Sequence, residues 1–370
     1  MSLLYAGGNQ PARRSFGIAE LTIGNACLSV ATRDIVKTPF YRLVEFSVPS
    51  LAPQAGMLVV APLSGHFPVI ARDLIAGLLP YFRVYVTDWV NVRHVPARYG
   101  SFGFAKNIAA VRDMIKRLDR GITVLGLCQG GVPALAATAL LAGASDTKTP
   151  ASLVLMASPI DPLANPTKVV QLLRERPLSW FETNMIARVP AGYAGHGRSV
   201  HSAHARLLPL WAYLARHITG GTDTGRKVFL DDGDDPVRFP FLDLYTSIMD
   251  LDAAYFLENT RDVFHECVLP RDALYLDGER AAPRAIRNTA LLTIEGERDD
   301  IAAPGQTSAA HRLCSALPER FHRSLVVSRA GHFSLFYGNT WRGSVLPVIQ
   351  EFCISRRPGK PASRSLVPVH

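Results

Sequence analysis

Five cysteines in 370 residues, at positions 27, 128, 267, 314 and 353, are odd in number and scattered. That excludes the disulfide framework of a small secreted domain, and the lack of any Cys-x-x-Cys pair argues against a zinc site. They read as thiols of a reducing compartment. No apolar run reaches the roughly 18–20 residues that a membrane helix needs; the run from Pro133 to Ala144 is too short. The N-terminal stretch Met1-Ser2-Leu3-Leu4-Tyr5-Ala6-Gly7-Gly8 has neither the basic start nor the apolar core of a secretory signal, so a soluble cytoplasmic protein is expected. Internal repeats and low-complexity tracts are missing as well.

The formal charge of +9 raises the question of an anionic partner. The lysines and arginines are dispersed, and no basic run is interleaved with aromatics, which argues against nucleic acid. The densest basic cluster, Arg356-Arg357-Pro358-Gly359-Lys360 to Arg364, falls in a tail that reads as disordered. A hydrophobic content of 48% with 19% charged residues is that of a compact enzyme with a substantial core.

Short apolar runs punctuated by loops dominate the first 160 residues. Strands are expected at 43–48, 57–62, 83–89, 122–125 and 152–157, and helix-like stretches at 69–79, 105–118 and from Val132. In the second of these helices Ile108, Val111, Ile115 and Leu118 share one face. Strands alternating with helices predict an α/β fold with a mostly parallel central sheet. From about Asp161 to Thr289 the alternation stops and the chain turns irregular and helix-rich. It resumes at Ala290-Leu291-Leu292-Thr293-Ile294. The expected division is a core in two parts, 1–160 and 290–355, a helical insertion or cap over 161–289, and a flexible tail at 356–370. Within the insertion, Asp231-Asp232-Gly233-Asp234-Asp235 lacks the spacing and distal Glu of a calcium loop and reads as solvated. His196, His201 and His204 fit no zinc pattern.

The most informative stretch is Gly126-Leu127-Cys128-Gln129-Gly130-Gly131. A strand, a Gly-x-nucleophile-x-Gly corner and a helix make up the nucleophile elbow of α/β-hydrolases, here with Cys where Ser is usual. A sulfur at the head of a helix meets the positive end of the dipole and free N–H groups, both of which favour thiolate. The base should follow late in the chain, after an acid. Gly331-His332-Phe333 follows the apolar run Leu325-Val326-Val327, and Ile294-Glu295-Gly296-Glu297-Arg298-Asp299-Asp300 places carboxylates just past a strand. The expected triad is Cys128, His332 and Asp299, with Asp300 as the alternative acid. The backbone N–H of Gln129 is the first expected oxyanion donor; a second is expected at Leu63 or Ser64, in the loop after the 57–62 strand. His66 in that loop is a lesser candidate. Ser64 and Ser158 lack the Gly-x-Ser-x-Gly context of a serine nucleophile.

From about Thr38 to Cys353 the chain resembles the intracellular polyhydroxyalkanoate (polyhydroxybutyrate) depolymerase family. The resemblance is carried by Ala61-Pro62-Leu63-Ser64-Gly65-His66-Phe67, Val84-Tyr85-Val86-Thr87-Asp88-Trp89, Cys128-Gln129 and Phe256-Leu257-Glu258-Asn259-Thr260. The most specific block runs from Thr293 to Ile301 and on through Gly305-Gln306-Thr307, Ala309-Ala310-His311 and Gly331-His332-Phe333. The resemblance implies hydrolysis of stored poly(3-hydroxybutyrate) at intracellular granules, through a thioester on Cys128, with no metal or cofactor. Its partner would be the polymer surface; a homo-oligomer is compatible with the sequence.

Two departures stand out. Gly130-Gly131 replaces the Pro that such depolymerases tend to carry soon after Cys-Gln, and Gly-x-Cys-x-Gly-Gly is the box of polyhydroxyalkanoate synthases. An acyltransferase using 3-hydroxyacyl-CoA is therefore the alternative reading, and a non-catalytic granule-binding protein a third. The other departure, Ala105-Lys106-Asn107 where the family is usually acidic, bears on surface charge alone.

Overall fold

Eight segments pair into one sheet: β1 (Ala31–Lys37), β2 (Tyr41–Ser47), β3 (Ala55–Val60), β4 (Phe82–Trp89), β5 (Thr123–Leu127), β6 (Ser152–Met156), β7 (Ala290–Gly296) and β8 (His322–Val327). The computed structural model describes residues 15–52 and 54–354, so the tail expected at 356–370 lies outside the described residues. The strand order is β8-β7-β6-β5-β3-β4-β2-β1. β2 runs antiparallel to β1 and β4, and every other pairing in the sheet is parallel. The mostly parallel sheet read from the sequence is present. Every residue of β5, β6 and β7 is buried, which is why these strands read as unbroken apolar runs rather than alternating ones.

Helices pack on this sheet: α1 (Arg72–Leu78), α2 (Phe104–Arg117) and α3 (Gly131–Gly143). In α2 the expected face of Ile108, Val111 and Ile115 is buried, widened by Phe104 and Met114, and Leu118 closes it as the buried C-cap residue. α3 is buried on all sides from Gly131 to Leu141, consistent with its small and aliphatic sequence. Pro133 sits in its first turn, where a missing N–H costs no helical bond.

Between β6 and β7 the chain forms α4 (Lys168–Arg174), α5 (Leu178–Met185), α6 (Ala203–Thr219), α7 (Asp223–Leu230), α8 (Phe241–Tyr245) and α9 (Ala253–Asn259). A small antiparallel sheet of Ile186–Arg188, Ser199–His201 and Leu251–Asp252 lies among them. Side chains start several of these helices. Thr167, Ser202 and Thr222 each accept from the backbone N–H three residues on, satisfying donors that the first turn leaves open.

Buried ion pairs fasten this segment to the core. Arg93, in the loop after β4, donates to both oxygens of Asp250 at 3.0 and 3.3 Å. Arg198 pairs with Asp252 at 3.0 Å and donates to the carbonyls of Val95, Pro96 and Gly100. The acidic loop expected to be solvated is instead tied down. Asp231 accepts from the Phe241 N–H and the Tyr337 hydroxyl, and Asp232 from Lys227 and the Asn339 N–H. Asp234 and Asp235 face Arg72 at 3.7 and 3.8 Å. Its carboxylates are consumed by tertiary partners, which local composition does not reveal. Among the described residues, no helix is long and apolar enough to cross a membrane.

Removing one partner of a buried pair leaves the other charge uncompensated. Arg93→Met, which strands Asp250, is predicted to cost about 3–5 kcal/mol in urea unfolding. Arg117→Met, at the exposed Arg117–Asp113 pair, should leave the urea midpoint essentially where it is.

Candidate active site

The chain turns from β5 into α3 at Cys128, whose φ of +51° is a left-handed conformation that non-glycine residues rarely adopt. Such strain costs about 1–3 kcal/mol and persists where the surroundings enforce it. Here the surroundings are the buried strand on one side and the buried helix on the other. Gly126 allows the two to approach, since a Cβ there would lie 2.5 Å from the Gly131 Cα, and Gly130 lets the corner sit against β3, where a Cβ would lie 2.1 Å from the Val60 carbonyl oxygen. Cys128 is 8% exposed and reaches a cavity of about 310 Å³.

His332 opens a short 3₁₀ turn in the loop after β8, and Asp299 lies in the turn after β7. The structure brings these two expected residues together. His332 Nδ1 and Asp299 Oδ2 are 2.7 Å apart, and both side chains are buried. The other carboxylate oxygen accepts from the N–H groups of Ile301 and Ala302 at 2.9 and 2.8 Å, which fixes its orientation. With Nδ1–H donated to Asp299, the remaining ring nitrogen is left for Cys128, which borders the same cavity and acts electrostatically on the ring. Burial opposes the imidazolium, but the charges of Asp299 and Cys128 and the hydrogen bond to Asp299 outweigh it. The ring pKa is held well above its ordinary value.

Asp300, the alternative acid, turns the other way. Its carboxylate takes the Tyr213 hydroxyl at 2.7 Å, Arg216 at 2.9 Å and His217 Nε2 at 3.1 Å, all on α6. Gln129 and Ser64 both border the cavity, whereas Leu63 faces a separate small void beside Phe40, Trp89 and Tyr255. Ser158 is structural: its hydroxyl donates to the Met156 carbonyl at 3.0 Å and its N–H to Thr307. His66 also borders the cavity, with its pKa pushed down to about 4, first by burial and then by the charge of Arg206.

Several lining residues had no signal in the sequence. Val169 and Leu173 on α4, and Arg206 and Leu210 on α6, come from the inserted segment and meet the site only through the fold. Among the aromatics of the inserted segment, Tyr213 lines the cavity and Trp211 is 46% exposed. Phe181 is buried against Trp180 and Phe256.

A mostly parallel eight-stranded sheet, with Cys128, Asp299 and His332 following β5, β7 and β8 at one end, is the arrangement of an α/β-hydrolase, and solved structures bear out the fold. The chain is similar to an epoxide hydrolase from Bacillus megaterium, with 14% identity over 86% of this chain and 98% of that one and a TM-score of 0.51. It is also similar to a bromoperoxidase from Bacillus anthracis, with 10% identity over 87% and 100% and a TM-score of 0.50. No curated protein matches the sequence significantly. Residues 157–357, more than half of the chain, match the family described as the PHB de-polymerase C-terminus. The chain belongs to that family and is an ester hydrolase. Asp299 and His332 fall within the matched stretch; Cys128 precedes it.

Asp299→Asn removes the charge that holds the His332 proton while leaving the burial that opposes it. The ring pKa should therefore move down, as read by ¹⁵N histidine NMR across pH; Asp300→Asn should leave it in place. His332 with a raised pKa stabilises the fold fully below its unfolded value of about 6.5. That stability is lost as pH rises through the folded value, and Asp299→Asn should flatten this alkaline decline in urea midpoints.

Proposed function

We propose that the chain is an intracellular poly(3-hydroxybutyrate) depolymerase working through Cys128, His332 and Asp299, with residues 161–289 as its cap. The observation that carries this reading is the buried Asp299–His332 hydrogen bond with Cys128 beside it on one apolar cavity, in a member of the PHB de-polymerase family. Cys128 thiolate attacks the ester carbonyl, forming the C–S bond, and the developing oxyanion meets the N–H of Gln129 and the loop at Ser64. One such donor contributes about 2.7–4 kcal/mol to lowering the barrier. As the C–O bond breaks, His332 passes its proton to the leaving alkoxide. It then takes a proton from water, which attacks the thioester and releases the 3-hydroxyacid. Asp299 keeps the imidazole in the required tautomer throughout.

The surroundings suit a polyester. The cavity wall is mainly aliphatic and aromatic, matching methyl-bearing repeat units. On the two helices that border it, Leu172, Leu208 and Trp211 are 64%, 78% and 46% exposed. Those exposed apolar side chains would meet a polymer granule, the proposed location of the enzyme.

The Gly-x-Cys-x-Gly-Gly box favours a second reading, a synthase-like acyltransferase. Gly130 has a packing reason independent of the acyl acceptor, its contact with the Val60 carbonyl, so the box does not identify the chemistry. Amorphous poly(3-hydroxybutyrate) granules should release 3-hydroxybutyrate with the wild-type protein and none with Cys128→Ala. Polymer growth from 3-hydroxybutyryl-CoA without granule hydrolysis would replace this reading with the synthase. Asp299→Asn should lower kcat on the granules by about 10⁴-fold.

A further inference from the structure

The apolar cavity contains a cation that the proposed mechanism does not use. Arg206 lies in the first turn of α6, where the positive end of the helix dipole disfavours a cation. Its Nη1 donates to the Ser64 carbonyl at 3.2 Å and its Nη2 to the Met249 carbonyl. Two neutral carbonyls leave the charge itself uncompensated. Nε is buried and has no hydrogen-bond partner among the described residues. The carboxylate that acts on Arg206 from farther away, Asp250, is already held by Arg93 and by the Ala203 N–H. A guanidinium stays charged at neutral pH, so a desolvated one with open donors favours an anion beside it.

The neighbours fit that picture. Gly65 has φ +112°, and a Cβ there would lie 1.6 Å from Arg206 Nη1, so the loop is shaped to admit the guanidinium. His66 and His201 are both kept neutral, by burial first and by the Arg206 charge next. The Nε2 of His66 is also buried without a partner among the described residues. Apart from His332, which is paired with Asp299, the cavity thus holds one positive charge, a neutral imidazole and otherwise mainly apolar walls. One carboxylate on a short aliphatic chain matches that content. A coenzyme's several phosphates would call for a cluster of cations.

We infer that Arg206 is a specificity residue that binds the free carboxylate terminus of a 3-hydroxyacid oligomer. This rests on the ester-hydrolase mechanism proposed above and gives it a direction. In a polyester of hydroxyacids the free carboxylate lies on the alcohol side of the last ester bond. An oligomer held there is cut near its acid end, and the released unit carries the bound carboxylate away.

The test uses linear 3-hydroxybutyrate trimer as the free acid and as its methyl ester. Binding is measured calorimetrically on Cys128→Ala and on Cys128→Ala/Arg206→Gln. Hydrolysis is measured on the wild-type protein, Arg206→Gln and Arg206→Lys. The free acid should bind about tenfold or more tightly than the methyl ester, the size expected of a charge-assisted contact. The same preference should appear in KM rather than kcat. Arg206→Gln should abolish the preference, and Arg206→Lys should retain part of it. A disturbed loop would weaken both substrates alike and leave their ratio unchanged, so an unchanged ratio in Arg206→Gln overturns the inference. Equal binding of acid and ester to Cys128→Ala overturns it too. If the wild-type protein cleaves neither trimer, the depolymerase reading fails, while the binding ratio still decides the role of Arg206.

Discussion

Cys128 holds a left-handed backbone because the strand before it and the helix after it are both buried and cannot relax away from one another. Everything at the site depends on that corner. It lifts the sulfur out of the sheet toward the cavity and aims the start of α3 at the same point. Neighbouring parallel strands then deliver the other parts. β3 runs beside β5, so the loop at Ser64 comes alongside Gln129. β7 and β8 run parallel to β5, so Asp299 and His332 emerge at the same end of the sheet as Cys128. This is the end at which open α/β sheets gather their ligands.

Electrostatics then distinguishes histidines that are alike in burial. His332, between a carboxylate and a thiol, is held in its charged form. His66 and His201 share the low-dielectric setting but have a guanidinium where His332 has an acid, and both stay neutral. Burial penalises the charged form in all three, so the sign of the nearest fixed charge decides the outcome. A proton-transfer group and a neutral, polar cavity wall thus come from one residue type.

The sheet and the three expected site residues were legible because their signals are local. A strand buried on both faces is written as an apolar run, as in Thr123–Leu127, and the elbow glycines sit within a few residues of the cysteine. The choice of Asp299 over Asp300 was legible as an offset from Gly296. Its reason is tertiary: Asp300 is committed to Tyr213, Arg216 and His217 on α6. The acidic loop was misread for a related reason. Five residues rich in Asp look solvated until Arg72 and Tyr337 arrive from distant parts of the chain.

The sequence by itself determined the fold class, the strand–Cys128–helix corner and the strand-end positions of Asp299 and His332 after it, since each depends on residues close together in the chain. Only the tertiary structure decided which helices wall the cavity and which loop position borders it. It alone placed Arg206, with open donors, between Ser64 and Met249. Those contacts join residues 142 and 43 positions apart, on segments held together by buried pairs such as Arg93–Asp250. Periodicity and spacing record what a segment does to itself. The surroundings of a charge depend on every segment that packs against it.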